Sequence, residues 1–269
     1  MKFGENIDGL AGCDRFIWSV NRGGYTWTKS ETDKDILIET GDRRPRWYHP
    51  DNKSKAYFME LLDTQGNPDA IVEFANRFGF LGESQIIDGQ KVLGEYVEDW
   101  QNAAQGIFEI TTLYDALRSD KKQVLSELIQ WDGKKSVLYN PPGTDKLRIV
   151  SSTDYRPLSM LRWQQGDLVE PAKDVLSLLI TEFMQQQRIS AEMIWRQNSK
   201  PLLRPVSTTL LGFIWLQLAQ VMEIGATYRH CKECEDWFLI WEGGRPASRK
   251  YCSNTCRSRA YRRNQKDKH

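Results

Sequence analysis

Apolar positions recur every second residue near the start of the chain and every third or fourth residue after about position 67, the change from strand to helix periodicity. Phe16 to Val20 and Tyr25 to Thr28 read as strands on either side of Asn21-Arg22-Gly23-Gly24, whose glycines suit a hairpin turn. Ile36 to Ile38 predicts a third strand. The stretch Gly41 to Lys55, with two prolines and the basic residues Arg43, Arg44, Arg46 and Lys53, reads as an exposed loop. Asn67 then stands where a helix cap belongs, Pro68 at the first helical position and Gly79 after the last, with Ile71, Phe74, Ala75 and Phe78 on one face.

The same spacing predicts a longer helix through Leu93, Tyr96, Trp100, Ile107, Phe108, Tyr114 and Leu117, and another from Asp120 through Ile129. Val137 to Tyr139 and Leu147 to Val150 flank Asn140-Pro141-Pro142-Gly143 and suggest a second hairpin. Helices over about Pro171 to Gln187 and Ser207 to Glu223 follow, the second stopped by Gly225. This predicts an α+β chain: a mainly helical large domain with N-terminal hairpin strands over residues 1–226, and a separate C-terminal segment over 227–269.

Composition narrows the class. In 269 residues, 40% apolar and 27% charged, there is room for one large or two smaller globular domains. The longest apolar run, Val206 to Met222, is broken by Ser207, Thr208, Thr209, Gln217 and Gln220, so it reads as a buried helix and no membrane partner is expected. The first sixteen residues place an acidic residue and two glycines where a secretory signal needs its apolar core, which points to a cytoplasmic protein. In such a compartment cysteines favour metal over disulfides.

Four of the five cysteines crowd into one segment, as C-x2-C (Cys231, Cys234), seventeen residues, then C-x3-C (Cys252, Cys256). Two short pairs, each a local bite, are what a tetrahedral zinc site needs. With all four ligands cysteine, the site is expected to be closed and structural, holding one Zn2+. Trp237 to Trp241 reads as a strand, Gly243-Gly244 as a turn and Arg249 to Tyr251 as the returning strand; Ser253 is a natural cap for a helix that starts with Cys256 in its first turn. Knuckle, hairpin and helix in that order predict a treble-clef-like zinc finger. Cys13 is left over and has no histidine near it in sequence, so no chemistry is assigned to it.

Charge is uneven. From Gly243 to His269 nine basic residues face Asp267 alone, a net of +8, so the first 242 residues sum to −7 within a total of +1. A basic tail on an acidic body calls for an anionic partner. Arg259, Arg262, Arg263 and Lys266 fall at i, i+3, i+4 and i+7, a cationic stripe on the terminal helix, with Arg257 off the stripe and Arg245, Arg249 and Lys250 on the preceding hairpin. These eight are the candidate nucleic-acid contacts, DNA ahead of RNA. The bland reading is a solvated face that offsets the −2 charge of a zinc tetrathiolate.

The stretch Cys231-x2-Cys234-x2-Trp237-Phe238, then Arg249-Lys-Tyr-Cys-Ser-Asn-Thr-Cys-Arg-Ser-Arg-Ala-Tyr-Arg-Arg263, resembles the CGNR-type zinc fingers that close bacterial proteins with an ABATE-like N-terminal domain. The resemblance covers residues 228–264; upstream, Phe74 to Gly79 and Trp215 to Gln217 are similar only in short pieces. It implies a stress-induced transcriptional regulator whose four ligands are the four cysteines above. Cys256-Arg257-Ser258-Arg259 keeps the first and last residues of the naming motif and replaces the Gly-Asn between them.

Three functions follow. The first is a DNA-binding regulator, its large domain sensing a ligand or mediating assembly, including self-assembly. The second is a protein-interaction module anchored by Trp237, Phe238 and Trp241. The third, an enzyme, has only Tyr48, His49 and Asp51 to offer in a basic loop; no phosphate loop, paired-histidine motif or nucleophile elbow is present, so no catalytic residue is assigned.

Overall fold

The computed structural model describes residues 16–42, 44–50, 55–82, 85–87, 92–119, 121–151, 163–195, 201–241 and 247–266. Four strands come first: β1 (Trp18–Asn21), β2 (Tyr25–Lys29), β3 (Asp35–Glu39) and β4 (Pro45–Tyr48). Helices α1 (Tyr57–Leu62) and α2 (Pro68–Phe78) lead to strands β5 (Gln85–Ile87) and β6 (Val92–Tyr96). Next are α3 (Val97–Arg118), α4 (Lys122–Leu128), β7 (Ile129–Trp131), β8 (Ser136–Tyr139), β9 (Arg148–Ser151) and α5 (Val169–Gln186). The chain continues through β10 (Ser190–Ile194), β11 (Leu202–Val206), α6 (Leu210–Glu223), β12 (Thr227–His230), β13 (Trp237–Ile240) and α7 (Asn254–Lys266). The mixture is α+β, and among the described residues no helix is long and apolar enough to cross a membrane.

Two compact units emerge. One joins Met1–Gln101 to Gln187–His269; the other is Asn102–Gln186. The division expected between 226 and 227 falls inside the first unit, so the cysteine segment shares that unit with the N-terminal strands.

In the first unit β2, β3, β6 and β5 form an antiparallel sheet in the order β2-β3-β6-β5. The expected hairpin of β1 with β2 does not form: β1 pairs with β4, and β2 with β3. The turn itself forms, the Gly24 N–H donating to the Asn21 carbonyl, but the N–H groups of Arg22 and Gly23 donate to the carbonyls of Arg44 and Asp42, which extends the β1–β4 ladder into the turn and leaves β2 to pair with β3. The supposed loop 41–55 therefore contains a strand. Of the Tyr48, His49 and Asp51 set, Tyr48 points inward and donates to the Phe78 carbonyl, His49 is exposed, and Asp51 lies outside the described residues.

Helix α2 forms as its end signals predict. Asn67 Oδ1 accepts from the backbone of Asp69 and Ala70, and Gly79 ends the helix at φ 88°. A Cβ at Gly79 would meet the Ser19 carbonyl, so only glycine lets α2 stop against β1. The expected helix from Leu93 starts later, at Val97, because residues 92–96 are drawn into the sheet beside Ile36 to Ile38. Helix α6 is apolar almost all round and lies in the core, with Phe213 stacked on Phe16 and edge-on to Tyr57.

Glu95 of β6 is buried opposite Leu37 and accepts from the backbone N–H groups of Leu81 and Gly82. Burial raises its pKa from 4.5 to about 7, with the two N–H donors holding it partly down. The folded state thus binds a proton more tightly than the unfolded chain. Between those values stability falls as pH rises, by roughly 3 kcal/mol in all if the unfolded value is normal. Denaturant melts at pH 5 and pH 8 should show that loss in the native chain and a clearly smaller one in Glu95→Gln; equal pH dependence in both would refute the assignment.

In the second unit β7, β8 and β9 form a three-stranded antiparallel sheet, confirming the second hairpin and adding β7, the end of what the pattern gave as helix. Its core takes Ile107, Ile110 and Leu113 from α3 with Val137, Tyr139, Val175 and Leu179.

Candidate metal centre

Strand β12 delivers the first cysteine pair. The Cys231 N–H donates to the Asp236 carbonyl and the Glu235 N–H to the Cys231 carbonyl, both at 2.9 Å, closing a tight knuckle with Glu235 in the left-handed region at φ 61°. The Lys232 N–H donates to the Lys250 carbonyl and ties the knuckle to the approach of the second pair. There the Ser253 hydroxyl accepts from the Cys256 N–H at 3.1 Å, capping α7 and putting Cys256 in its first turn as expected. The expected return strand over Arg249 to Tyr251 is absent: β13 pairs with β12 instead. The Gly243-Gly244 turn lies outside the described residues, as does Cys13.

All four sulfurs lie within 4.8 Å of one another. Cys234 Sγ is 3.6 Å from Cys252 Sγ, which is 3.5 Å from Cys256 Sγ. Four thiolates at about 2.3 Å from a tetrahedral ion sit roughly 3.8 Å apart, so this cage fits one metal ion and its soft donors suit zinc or another thiophilic metal. His230 is not part of it, since its Nδ1 lies 2.6 Å from the Glu235 carbonyl and its ring rests on Trp237.

Burial pushes the Cys252 thiol up to about 11, helped by its contact with Cys256, and raises Cys234 as well. Cys231 ends at about 7: burial pushes it up too, but the backbone N–H groups of Cys252, Cys234 and Glu233 aim at its sulfur and outweigh burial. Such a cage exchanges protons for metal when it loads.

The knuckle is clamped to the body of its unit. Cys231 and Cys256 pack with Phe238 and Ile240 of β13, and β13 bonds back to the start of α1: the Ala56 N–H donates to the Trp237 carbonyl, and Lys55 bridges to Phe238. Lys55 Nζ lies 3.5 Å from Glu60 and 3.1 Å from Asp236, while Arg77 reaches the same two carboxylates at 3.0 and 2.8 Å. Glu60 also accepts from the Trp237 N–H, and the Trp237 indole donates to Asp63. From the other side Gln217 of α6 accepts from the Tyr57 N–H and donates to the Lys55 carbonyl. A groove of about 410 Å³ runs between this network and the knuckle, with Asp63, Glu73, His230, Cys234 and Trp237 on its walls.

The charged members of the clamp, Lys55, Glu60, Asp63, Arg77 and Asp236, carry no signal in the sequence; Trp237 is expected as a docking anchor and is a clamp residue instead. Gln217 was the available signal: an amide inside an otherwise apolar helix must find buried partners.

The eight candidate cationic contacts separate into groups. Arg249 is a strut, donating from Nε to the Tyr251 carbonyl at 2.7 Å and from its terminal nitrogen to the Cys252 carbonyl at 3.0 Å. Arg263 pairs with Glu233 of the knuckle at 2.9 Å. Lys250, Arg257, Arg259 and Arg262 are exposed and have no carboxylate partner among the described residues. Arg245 lies outside the described residues, and so does the side chain of Lys266.

Residues 195–269 match the model of a family of unknown function (DUF6076), a stretch that takes in all four cysteines. No curated protein and no solved structure matches the chain.

Proposed function

We propose that this chain is a zinc-dependent nucleic-acid-binding protein, DNA ahead of RNA, acting as a transcriptional regulator of the kind its CGNR-like segment implies. Zinc closes the tetrathiolate cage, the cage and its helix form a treble-clef finger, and α7 presents the contact surface. The remainder of the chain senses or assembles. Catalysis has no part in this reading.

The observation that carries it is the charge left over once the structural pairs are removed. Arg263 and Arg249 serve the cage, yet Lys250, Arg257, Arg259 and Arg262 remain exposed, and α7 contains no acidic residue. A face that only balanced the tetrathiolate would have its cations engaged there. The rival protein-docking reading is weakened at two of its three anchors, because Phe238 is fully buried and Trp237 is held by Glu60 and Asp63, whereas Trp241 is half-buried.

The test is a salt series of anisotropy titrations with duplex DNA. Replacing Arg257, Arg259 and Arg262 together by alanine should weaken binding on many sequences alike and make the slope of log K against log salt shallower by about 1 per lost phosphate contact, roughly 3 in all, with zinc content unchanged. Unchanged affinity and slope would sink the proposal.

A further inference from the structure

Helix α7 has one closed edge and one open ridge. Cys256 and Ala260 are buried, and Arg263, next to them round the helix, is tied to Glu233. At about 100° per residue, Ser258, Tyr261 and Gln265 project from the opposite side. Arg257 flanks that ridge on one side and Arg259 on the other, with Arg262 between ridge and flank. All six are exposed, Tyr261 by 65%.

The ridge is also ordered internally. Gln265 Nε2 donates to the Tyr261 hydroxyl at 3.0 Å across one helical turn, which fixes the plane of the amide. The amide keeps its carbonyl and a second N–H free, and the tyrosine keeps its hydroxyl hydrogen. A solvated face has no need of a large exposed ring bonded to a neighbouring amide. Hydrogen-bonding side chains along the middle of a helix, with guanidinium groups to either side, match a groove that offers base edges at its floor and phosphates on both walls.

We infer that α7 reads sequence in the major groove of duplex DNA, with Tyr261 and Gln265 on base edges and Arg257 and Arg259 on the two phosphate walls. This rests on the nucleic-acid reading above and narrows it to one groove of one duplex. The B-form major groove admits a helix, whereas the deep, narrow major groove of A-form RNA does not. Gln265 is the adenine reader: its carbonyl accepts from N6 and its remaining amide hydrogen goes to N7, while Tyr261 holds the amide in place.

The test uses full-length, zinc-loaded protein. Preferred duplexes are selected from a randomised pool, and affinities for the selected and a scrambled duplex are compared in the native chain, Gln265→Ala and Tyr261→Phe. A selected site with a fixed A·T pair is expected. Gln265→Ala should bind that site about tenfold more weakly and lose its preference at that pair, with scrambled-site affinity and salt slope unchanged. Tyr261→Phe should lose part of the same preference. Both positions are exposed, so zinc content and melting temperature should not move.

Salt-sensitive binding without sequence preference would overturn the inference and leave the phosphate reading standing. So would variants that keep the preference, or a duplex RNA bound as well as the selected DNA. Absence of any salt-sensitive binding would remove the nucleic-acid reading itself, and the inference with it.

Discussion

Cys252→Ser should leave the purified protein with less than half a zinc ion per chain and lower the melting temperature of the unit that contains the cage by more than 10 °C. Structural zinc in a finger supplies about 10 kcal/mol or more of apparent binding free energy, and three thiolates with one hydroxyl hold the ion far less well. The cage also shares a core with more than its own segment. Phe238 and Ile240 pack on Cys231 and Cys256, and the same strand bonds to Ala56 and bridges to Lys55 at the start of α1. Metal loss should therefore expose Trp237 and loosen α1, seen as a shift in tryptophan emission and new protease cleavage near residue 55. Metal analysis and calorimetry decide the matter: a full zinc equivalent in the variant, or metal loss with an unchanged melt, would refute it. A chain ending at about Gly225 should be destabilised for the same reason, although the sequence pattern alone suggests that it would fold well.

The second large effect is expected at Glu60. Its side chain is 8% exposed and Lys55 beside it 12% exposed, whereas Asp236 and Arg77 are more open. Glu60→Ala leaves the Trp237 N–H without its acceptor and leaves Lys55 and Arg77 with Asp236 alone; because Lys55 keeps that partner, the cost is about 3 kcal/mol, the low end for truncating one member of a buried ion pair. For a unit of this size that is roughly 6 to 12 °C in melting temperature. Asp236→Asn should cost about 1 kcal/mol, because water reaches that carboxylate and the arginine beside it. Thermal melts of the two variants and of Glu60→Ala with Cys252→Ser provide the check. If clamp and cage belong to one cooperative unit, the double variant should lose less than the sum of the singles. Full additivity, or a Glu60→Ala effect no larger than that of Asp236→Asn, would show that the clamp contributes little.

Local rules read several elements correctly. Asn67, Pro68 and Gly79 placed α2 because a cap, a first-turn proline and a left-handed stop act within the few residues they touch. Ser253 located the start of α7 for the same reason. The pattern misled where pairing at a distance decided the outcome. Residues 92–96 fit helical spacing, yet Ile36 to Ile38 lie alongside and hold them as a strand. Asn21 to Gly24 do turn, but the N–H groups of Arg22 and Gly23 are bonded to the backbone of residues 42–44, so β1 pairs with β4 and not with β2.

The cysteine spacing by itself determined that four thiols would meet, because C-x2-C and C-x3-C each fix two ligands within a few bonds and only one long-range closure is left to make. It also determined that the last helix would be cationic, since residues 257 to 266 include no acidic side chain. What those cations do was decided by the tertiary structure. Arg263 and Arg259 are equivalent in sequence, but the knuckle sets Glu233 beside one of them and no described carboxylate beside the other. The same holds for the body: Lys55, Glu60, Arg77 and Asp236 are spread over 182 residues of chain, and charge that far apart carries no mutual information until the backbone brings it within 4 Å. Short-range chemistry survives in the sequence as spacing, whereas ion pairing and burial are properties of distances that only the folded chain sets.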